Sequence, residues 1–215
     1  MEVGFDKSYW EKNYSEPDQM DGIGNVLEHV GYIKNLLALE FINISSVVDF
    51  GFGLGHLFEE ILKEFVPYKA LGIEPSKYAY DLVKKRGISP APSTKLTLKK
   101  QGIVNWCERS EKTKTFDLGI CTSVFQYLSN EEIEFVLPIL AKKVRYLYFS
   151  VPTDKELKRQ IEEIDFFDTY AICRSRSWYQ KKIKKHFTFV SARMLESKYH
   201  FDEESTLFTD LLFRF

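Results

Sequence analysis

Val47-Val48-Asp49-Phe50-Gly51-Phe52-Gly53-Leu54-Gly55 is the stretch that decides the fold. The apolar, β-branched run at 44–48 that leads into it reads as a short buried strand. Leu54, Leu57, Phe58, Ile61, Leu62 and Phe65 then follow at spacings that give one apolar face of a helix. The stretch is therefore a strand, a glycine turn and a helix. Glycine adopts positive φ and leaves the backbone open to close approach by a ligand. The turn opens onto a helix N-terminus, whose free N–H groups favour an anionic group such as a carboxylate. Asp49 closes the strand just ahead of it.

The glycine spacing excludes one large class. A dinucleotide fingerprint needs G-x-G-x-x-G, but its last glycine would fall on His56 counted from Gly51 and on Phe58 counted from Gly53. A nicotinamide enzyme is excluded on that count. The pattern D-x-G-x-G-x-G resembles instead the first motif of the class I (Rossmann-like) S-adenosylmethionine-dependent methyltransferases. The resemblance implies S-adenosyl-L-methionine as cofactor, with Asp49, Gly51, Phe52, Gly53 and Gly55 around its amino-acid half. Without it, the same residues read as a tight turn that binds nothing.

Composition fits an ordinary globular protein. The 215 residues, 44% hydrophobic and 28% charged, suit one α/β domain with a sizeable core. A formal net charge of −1 marks neither a nucleic-acid nor a membrane-surface binder. The three cysteines, Cys107, Cys121 and Cys173, have no metal-like spacing, so neither a metal site nor a disulfide framework is expected, and a reducing compartment is. No apolar run approaches the roughly 20 residues that span a bilayer, and the first residues lack a signal peptide's pattern. These features predict a cytoplasmic protein. The whole chain, 1–215, is expected to form one domain, with residues 1–43 as N-terminal helices covering the cofactor site.

At the N-terminus, Tyr9-Trp10-Glu11-Lys12-Asn13-Tyr14 places Trp10 and Tyr14 on one helix face. They read as core anchors of a terminal helix. The stretch also resembles the Y-W-x-x-x-Y segment that folds over the cofactor in many small-molecule methyltransferases, which makes Tyr9, Trp10 and Tyr14 cofactor candidates. Helical spacing resumes from Val26 to about Leu39. A second strand at 68–74 ends in Glu74-Pro75-Ser76. Pro75 cannot continue a ladder, Ser76 can cap the next helix, and Gly87 stops it. Glu74 stands 25 positions after Asp49, a separation at which an acid can reach a ribose. In the resembling family this residue binds both ribose hydroxyls, so Glu74, with Pro75 beside it, is a cofactor candidate.

The third strand is open among 88–92, 95–98 and 102–104. The family places an acid after it to hold the adenine amino group, yet no Asp or Glu stands between Gly87 and Trp106. Asn105 is the nearest polar substitute, and Trp106 could stack on a base or sit buried in a loop. Phe116-Asp117-Leu118-Gly119-Ile120-Cys121-Thr122-Ser123-Val124-Phe125-Gln126-Tyr127-Leu128 resembles the family's fourth-strand element, its strand at 118–121. On that resemblance Thr122, Ser123 and Gln126 border the transferred methyl. Ser129 and Glu132 form a capping box, and Pro138 should kink or shorten the helix that follows. A fifth strand at 144–151, a polar helix at 154–164 and an aromatic loop from 165 to 178 come next. Phe166, Phe167, Tyr170, Arg174 and Arg176 in that loop, with Gln126 and Tyr127, are substrate-side candidates; each also reads as packing or a solvated charge. Ser177 to Gln180 can cap a further helix. The last two strands are expected at 187–198 and 207–215, joined by an acid-rich turn. The fold expected is α/β, a seven-stranded mostly parallel sheet flanked by helices with its last strand antiparallel.

The resemblance implies methyl transfer, and the acceptor is expected to be a small molecule, with oxygen the favoured atom. No base declares itself: His29, His56, His186 and His200 are scattered, and Tyr9 and Tyr127 are alternatives. Within the resembling family, enzymes that methylate adenine amino groups usually show Asn or Asp followed by Pro-Pro and an aromatic where Cys121-Thr122-Ser123-Val124 stands, and the related aminopropyl transferases carry acids there, so the resemblance points to neither. A protein that binds the cofactor or a partner without turnover is the alternative reading.

Overall fold

The computed structural model describes residues 5–13, 23–208 and 214–215. Its strands are β1 (Ser46–Phe50), β2 (Lys69–Glu74), β3 (Lys95–Lys100), β4 (Phe116–Thr122), β5 (Val144–Ser150), β6 (Phe187–Phe189) and β7 (Met194–Ser197). They form one seven-stranded sheet in the order β3-β2-β1-β4-β5-β7-β6. The first five are mutually parallel; β7 runs antiparallel to both β5 and β6. The helices are α1 (Lys7–Asn13), α2 (Val26–Leu39), α3 (His56–Phe65), α4 (Lys77–Arg86), α5 (Ile103–Glu108), α6 (Asn130–Lys143), α7 (Asp154–Ile164) and α8 (Arg176–Ile183).

β1, β2, β4 and β5 are almost continuously buried because helices cover both faces of the sheet. One core joins Phe50, Ile73 and Leu147 to α6; the other joins Val47, Ile120 and Tyr146 to α2 and α3. β3 is the edge, and its sequence Lys-Leu-Thr-Leu-Lys-Lys alternates with lysines outward, which discourages pairing with another chain. Strand order reverses between β1 and β4, and ligands bind in the crevice at such a switch point. Asp49 at the end of β1 lies there, in register with Gly72 and Ile120.

Several elements depart from expectation. The third strand is the 95–98 alternative, extended to Lys100, and residues 102–104 cap and open α5 instead. Pro138 neither ends nor shortens α6, which continues to Lys143. Ile133, Val136, Leu137 and Leu140 are all buried along one side, and the carbonyl that Pro138 cannot bond belongs to exposed Glu134. The cap of α8 is Ser175, whose Oγ accepts the Trp178 N–H. The closing hairpin lies wholly within 187–197, turning at Val190-Ser191-Ala192-Arg193. Of the expected strand at 207–215, residues 209–213 lie outside the described residues; Phe215 bonds to Phe189 through both backbone groups. Among the described residues no helix is long and apolar enough to cross a membrane.

Candidate functional site

The glycine turn is built by backbone geometry. Gly51 has φ +105° and Gly53 φ +54°, values that side chains other than glycine rarely adopt. A Cβ on Gly51 would stand 2.6 Å from Val124 Cγ2. The turn is tied to β2 by the N–H groups of Gly51 and Phe52, both donating to the Ile73 carbonyl at 2.9 and 3.2 Å. The Gly53 N–H donates to Glu74 Oε2 at 2.9 Å, and the Ser76 N–H donates to Oε1 at 2.8 Å. One carboxylate thus fixes the turn and the start of α4 together.

Two acids share this buried corner. Burial pushes Glu74 up to about 7, against the Ser76 and Gly53 N–H bonds that favour its ionised form. Burial also holds Asp49 well above the usual carboxylate range, and the Glu74 charge acts in the same direction. His56, at the start of α3, is pushed down by burial and by Arg86. A ligand that offers hydrogen-bond donors or positive charge here would therefore draw these carboxyls toward their ionised form.

α1 closes the site from above. The Trp10 indole N–H donates to Ser76 Oγ at 2.9 Å, and the Ser76 hydroxyl donates to the Phe5 carbonyl at 2.6 Å. The Trp10 ring lies over Gly53, 3.3 Å from where a Cβ would be. Tyr9 and Tyr127 hydroxyls meet at 3.1 Å, and Tyr127 donates to Asp168 Oδ2 at 2.6 Å. Ser123, just past β4, has φ +53°, and its N–H bonds the Ser150 carbonyl at 2.9 Å. Gln126 is buried, and its Oε1 has no hydrogen-bond partner among the described residues.

These groups enclose two cavities. One lies between the glycine turn, Glu74, Thr122 and the Tyr9–Tyr127–Asp168 group. The other lies across the β2 and β3 ends, between Pro75, Gln101, Gly102 and Asn105. Gly51, Pro75, Val124 and Tyr127 border both, so the two are neighbouring halves of one cleft.

No family model matches the chain, and no curated protein does. Solved structures do. The plantazolicin methyltransferase BpumL in complex with SAH matches with a TM-score of 0.59 at 20% identity, over 73% of this chain and 58% of that one. The chain thus spans under two thirds of that protein's length. BpumL with a pentazolic desmethylPZN analog and SAH gives 0.65 at 16% identity, over 84% and 70%. The N-methyltransferase NodS from Bradyrhizobium japonicum WM9, in complex with S-adenosyl-L-homocysteine, gives 0.58 at 11% identity, over 87% and 97%. The fold is that of the class I S-adenosylmethionine-dependent methyltransferases.

Within this methyltransferase fold the candidates separate. Asp49, Gly51, Phe52, Gly53, Gly55, Glu74 and Pro75 line the cleft from the β1 and β2 ends, and Thr122, Ser123, Gln126 and Tyr127 line it from β4. Tyr9 and Trp10 roof it, whereas no residue of α2 borders it. Asn105 reaches the second cavity. Trp106 does not: it is buried under the sheet with its ring edge-on to Phe50 at 5.0 Å. Phe166 lines the first cavity, while Phe167 is exposed. Tyr170 packs its ring on Phe5 and Tyr9. Arg174 is turned into the protein, donating to Asn130 Oδ1 at 2.9 Å and to the Leu128 carbonyl at 2.6 Å. Arg176 is exposed at the start of α8. Tyr14 lies outside the described residues. Phe5, Asp168 and Gln101 border the cleft without a signal in the sequence that sets them apart.

Proposed function

We propose that this protein is an S-adenosylmethionine-dependent methyltransferase acting on a small-molecule acceptor, at oxygen. One observation carries the reading: Glu74 is a buried carboxylate at the end of β2, bonded to the glycine turn, at the edge of an open cleft. A carboxylate has about four acceptor sites. Two are taken by backbone N–H groups, which leaves two for the vicinal hydroxyls of a ribose.

The rest of the cleft suits the same molecule. Gly51 and Gly53 let Val124 and Trp10 pack closely on the turn that lines the cleft, and Asp49 with Glu74 favours a ligand carrying donor or cationic groups. Asn105 and Gln101 offer amide groups where an adenine would lie, in place of an acid. Bound S-adenosylmethionine would supply an activated methyl on a positively charged sulfur. The protein's part is then to orient two reactants and exclude water, and such positioning can contribute about 7–11 kcal/mol. The buried Gln126 carbonyl and the Tyr9–Tyr127–Asp168 group beyond the cofactor half favour an enzyme over a protein that only binds.

Calorimetry with S-adenosylmethionine and S-adenosylhomocysteine tests the cofactor, and labelled-methyl transfer over a metabolite panel tests the reaction. Absence of binding by either molecule would remove the proposal. Tight binding with transfer to nothing would leave the cofactor and remove the enzyme.

A further inference from the structure

The three polar groups at the acceptor end have a defined direction. Tyr127 has one hydroxyl proton and gives it to Asp168 at 2.6 Å. The 3.1 Å contact between the two phenols must then use the Tyr9 proton, with Tyr127 accepting. Tyr9 in turn has its proton committed, and what its oxygen offers to the cavity is a lone pair. Gln126 offers another, since its buried Oε1 has no partner among the described residues. Among the described residues the cavity wall carries Asp49, Glu74 and Asp168 and no lysine or arginine. Burial above all pushes Tyr9 up to about 12, so it stays a neutral phenol at ordinary pH.

We propose that Tyr9, Tyr127 and Asp168 form an oriented proton relay, and that the acceptor is an uncharged aromatic molecule whose hydroxyl donates to Tyr9. The proposal rests on the methyltransferase reading above. Phe5 and Phe166 supply aromatic walls beside the relay. Carboxylate and phosphate acceptors are disfavoured by the three acids. A neutral amine attacks through its own lone pair and needs no base beforehand, so a relay serves it little. A phenol's pKa lies near 10, far closer to a carboxylate's than an alcohol's does.

In the transfer, the acceptor oxygen forms a bond to the methyl carbon as the methyl–sulfur bond breaks, its electron pair remaining on sulfur. The acceptor proton passes to Tyr9 oxygen, the Tyr9 proton to Tyr127, and the Tyr127 proton to Asp168. The sulfonium charge and the carboxylate charge disappear together, so the step is balanced without another reactant. Tyr9 touches the acceptor; Tyr127 and Asp168 act through it.

The test uses the full chain with phenol, catechol and 2-naphthol, the matching arylamines and the matching arylcarboxylates. S-adenosylhomocysteine binding is measured first; its absence removes the methyltransferase reading itself, and the relay with it. With S-adenosylhomocysteine bound, calorimetry is expected to show 2-naphthol binding at least tenfold tighter than 2-naphthoate. With labelled S-adenosylmethionine, transfer is expected to the hydroxyl compounds. Tyr127→Phe and Asp168→Asn should lower kcat at least tenfold at saturating cofactor, and their rates should recover at high pH as the phenol ionises unaided. Four results would each overturn the relay: cofactor binding with no hydroxyl compound bound or methylated, carboxylates bound as tightly as phenols, transfer to arylamines only, or variants with the wild-type rate and pH profile.

Discussion

Glu74 Oε2 accepts the Gly53 N–H at 2.9 Å across 21 residues of chain, joining the acid that ends β2 to the turn that follows β1. The bond sets the carboxylate toward the cleft and holds the turn open beside it. Glu74→Ala removes that bond and both remaining acceptor sites. S-adenosylhomocysteine affinity is expected to fall at least tenfold, about 1.4 kcal/mol, with the circular dichroism spectrum retained. Unchanged affinity by calorimetry would remove the ribose role from Glu74.

The same residue makes binding depend on pH. Glu74 is raised in the folded protein from an ordinary 4.5 to about 7, mainly by burial. A raised group stabilises the fold below its unfolded pKa, and that stability is lost as pH rises through its folded pKa. Asp49, raised as well, acts in the same direction. The unliganded protein is therefore expected to melt at progressively lower temperature between about pH 5 and pH 8. Ribose hydroxyls favour the ionised carboxylate, so S-adenosylhomocysteine affinity should rise over pH 6 to 8 with proton release. Calorimetry in buffers of different ionisation enthalpy reads that release, and a pH-independent affinity would contradict it.

Gly51 tests the turn itself. Its φ of +105° strains any other residue, and a Cβ there would press on Val124 at 2.6 Å. Gly51→Ala is expected to cost about 2 kcal/mol or more in urea unfolding. Adding Val124→Ala should recover the steric part and leave the backbone part, so the double variant should fall between the two. A Gly51→Ala protein as stable as wild type would show that the turn relaxes freely.

At the other end of the sheet, Arg214 is paired with Glu196 of β7, and both side chains are buried. Thr206 also donates to Glu196, at 2.7 Å. Burial raises the Glu196 carboxyl, with Thr206 and Arg214 opposing. Removing one partner leaves the other charge without compensation, so Glu196→Ala and Arg214→Ala are each expected to cost about 3–5 kcal/mol. Replacing both with apolar residues should cost less than either single change. Denaturant unfolding of the three variants decides it.

The turn and Glu74 were legible because local chemistry constrains them: a glycine must stand where φ is positive, and a strand-end acid falls at a fixed separation from it. Trp106 is turned beneath Phe50 by α5, which at six residues is too short to show a helical period in the sequence. Arg174 stood open between substrate contact and packing because its carbonyl partners at 125 and 128 lie 49 and 46 residues away. Asp168 gave no signal for the same reason, since Tyr127 is 41 residues upstream and a single carboxylate in a loop has no periodicity. The last hairpin was misplaced because Val190-Ser191-Ala192-Arg193 lacks glycine, proline and asparagine, whereas the acid-rich 202–205 segment has turn composition. Local constraint can be read in order along the chain; pairing across the fold cannot.

Ser76 joins two of these levels, and its replacement makes a sharp test of the roof. Its Oγ accepts from the Ala79 N–H at 3.3 Å and caps α4, accepts from the Trp10 indole, and donates to the Phe5 carbonyl. Ser76→Ala loses all three bonds. The cap alone is worth about 1 kcal/mol, which a thermal melt will register. Freed of its latch, α1 should leave the glycine turn more often, so S-adenosylhomocysteine should dissociate several-fold faster in stopped-flow fluorescence while associating at a similar rate. Ser76→Thr keeps a hydroxyl at the same place and is expected to restore most of both effects. If Ser76→Ala loses stability but keeps the wild-type dissociation rate, the hydroxyl is a helix cap alone and α1 is held by its aromatic packing.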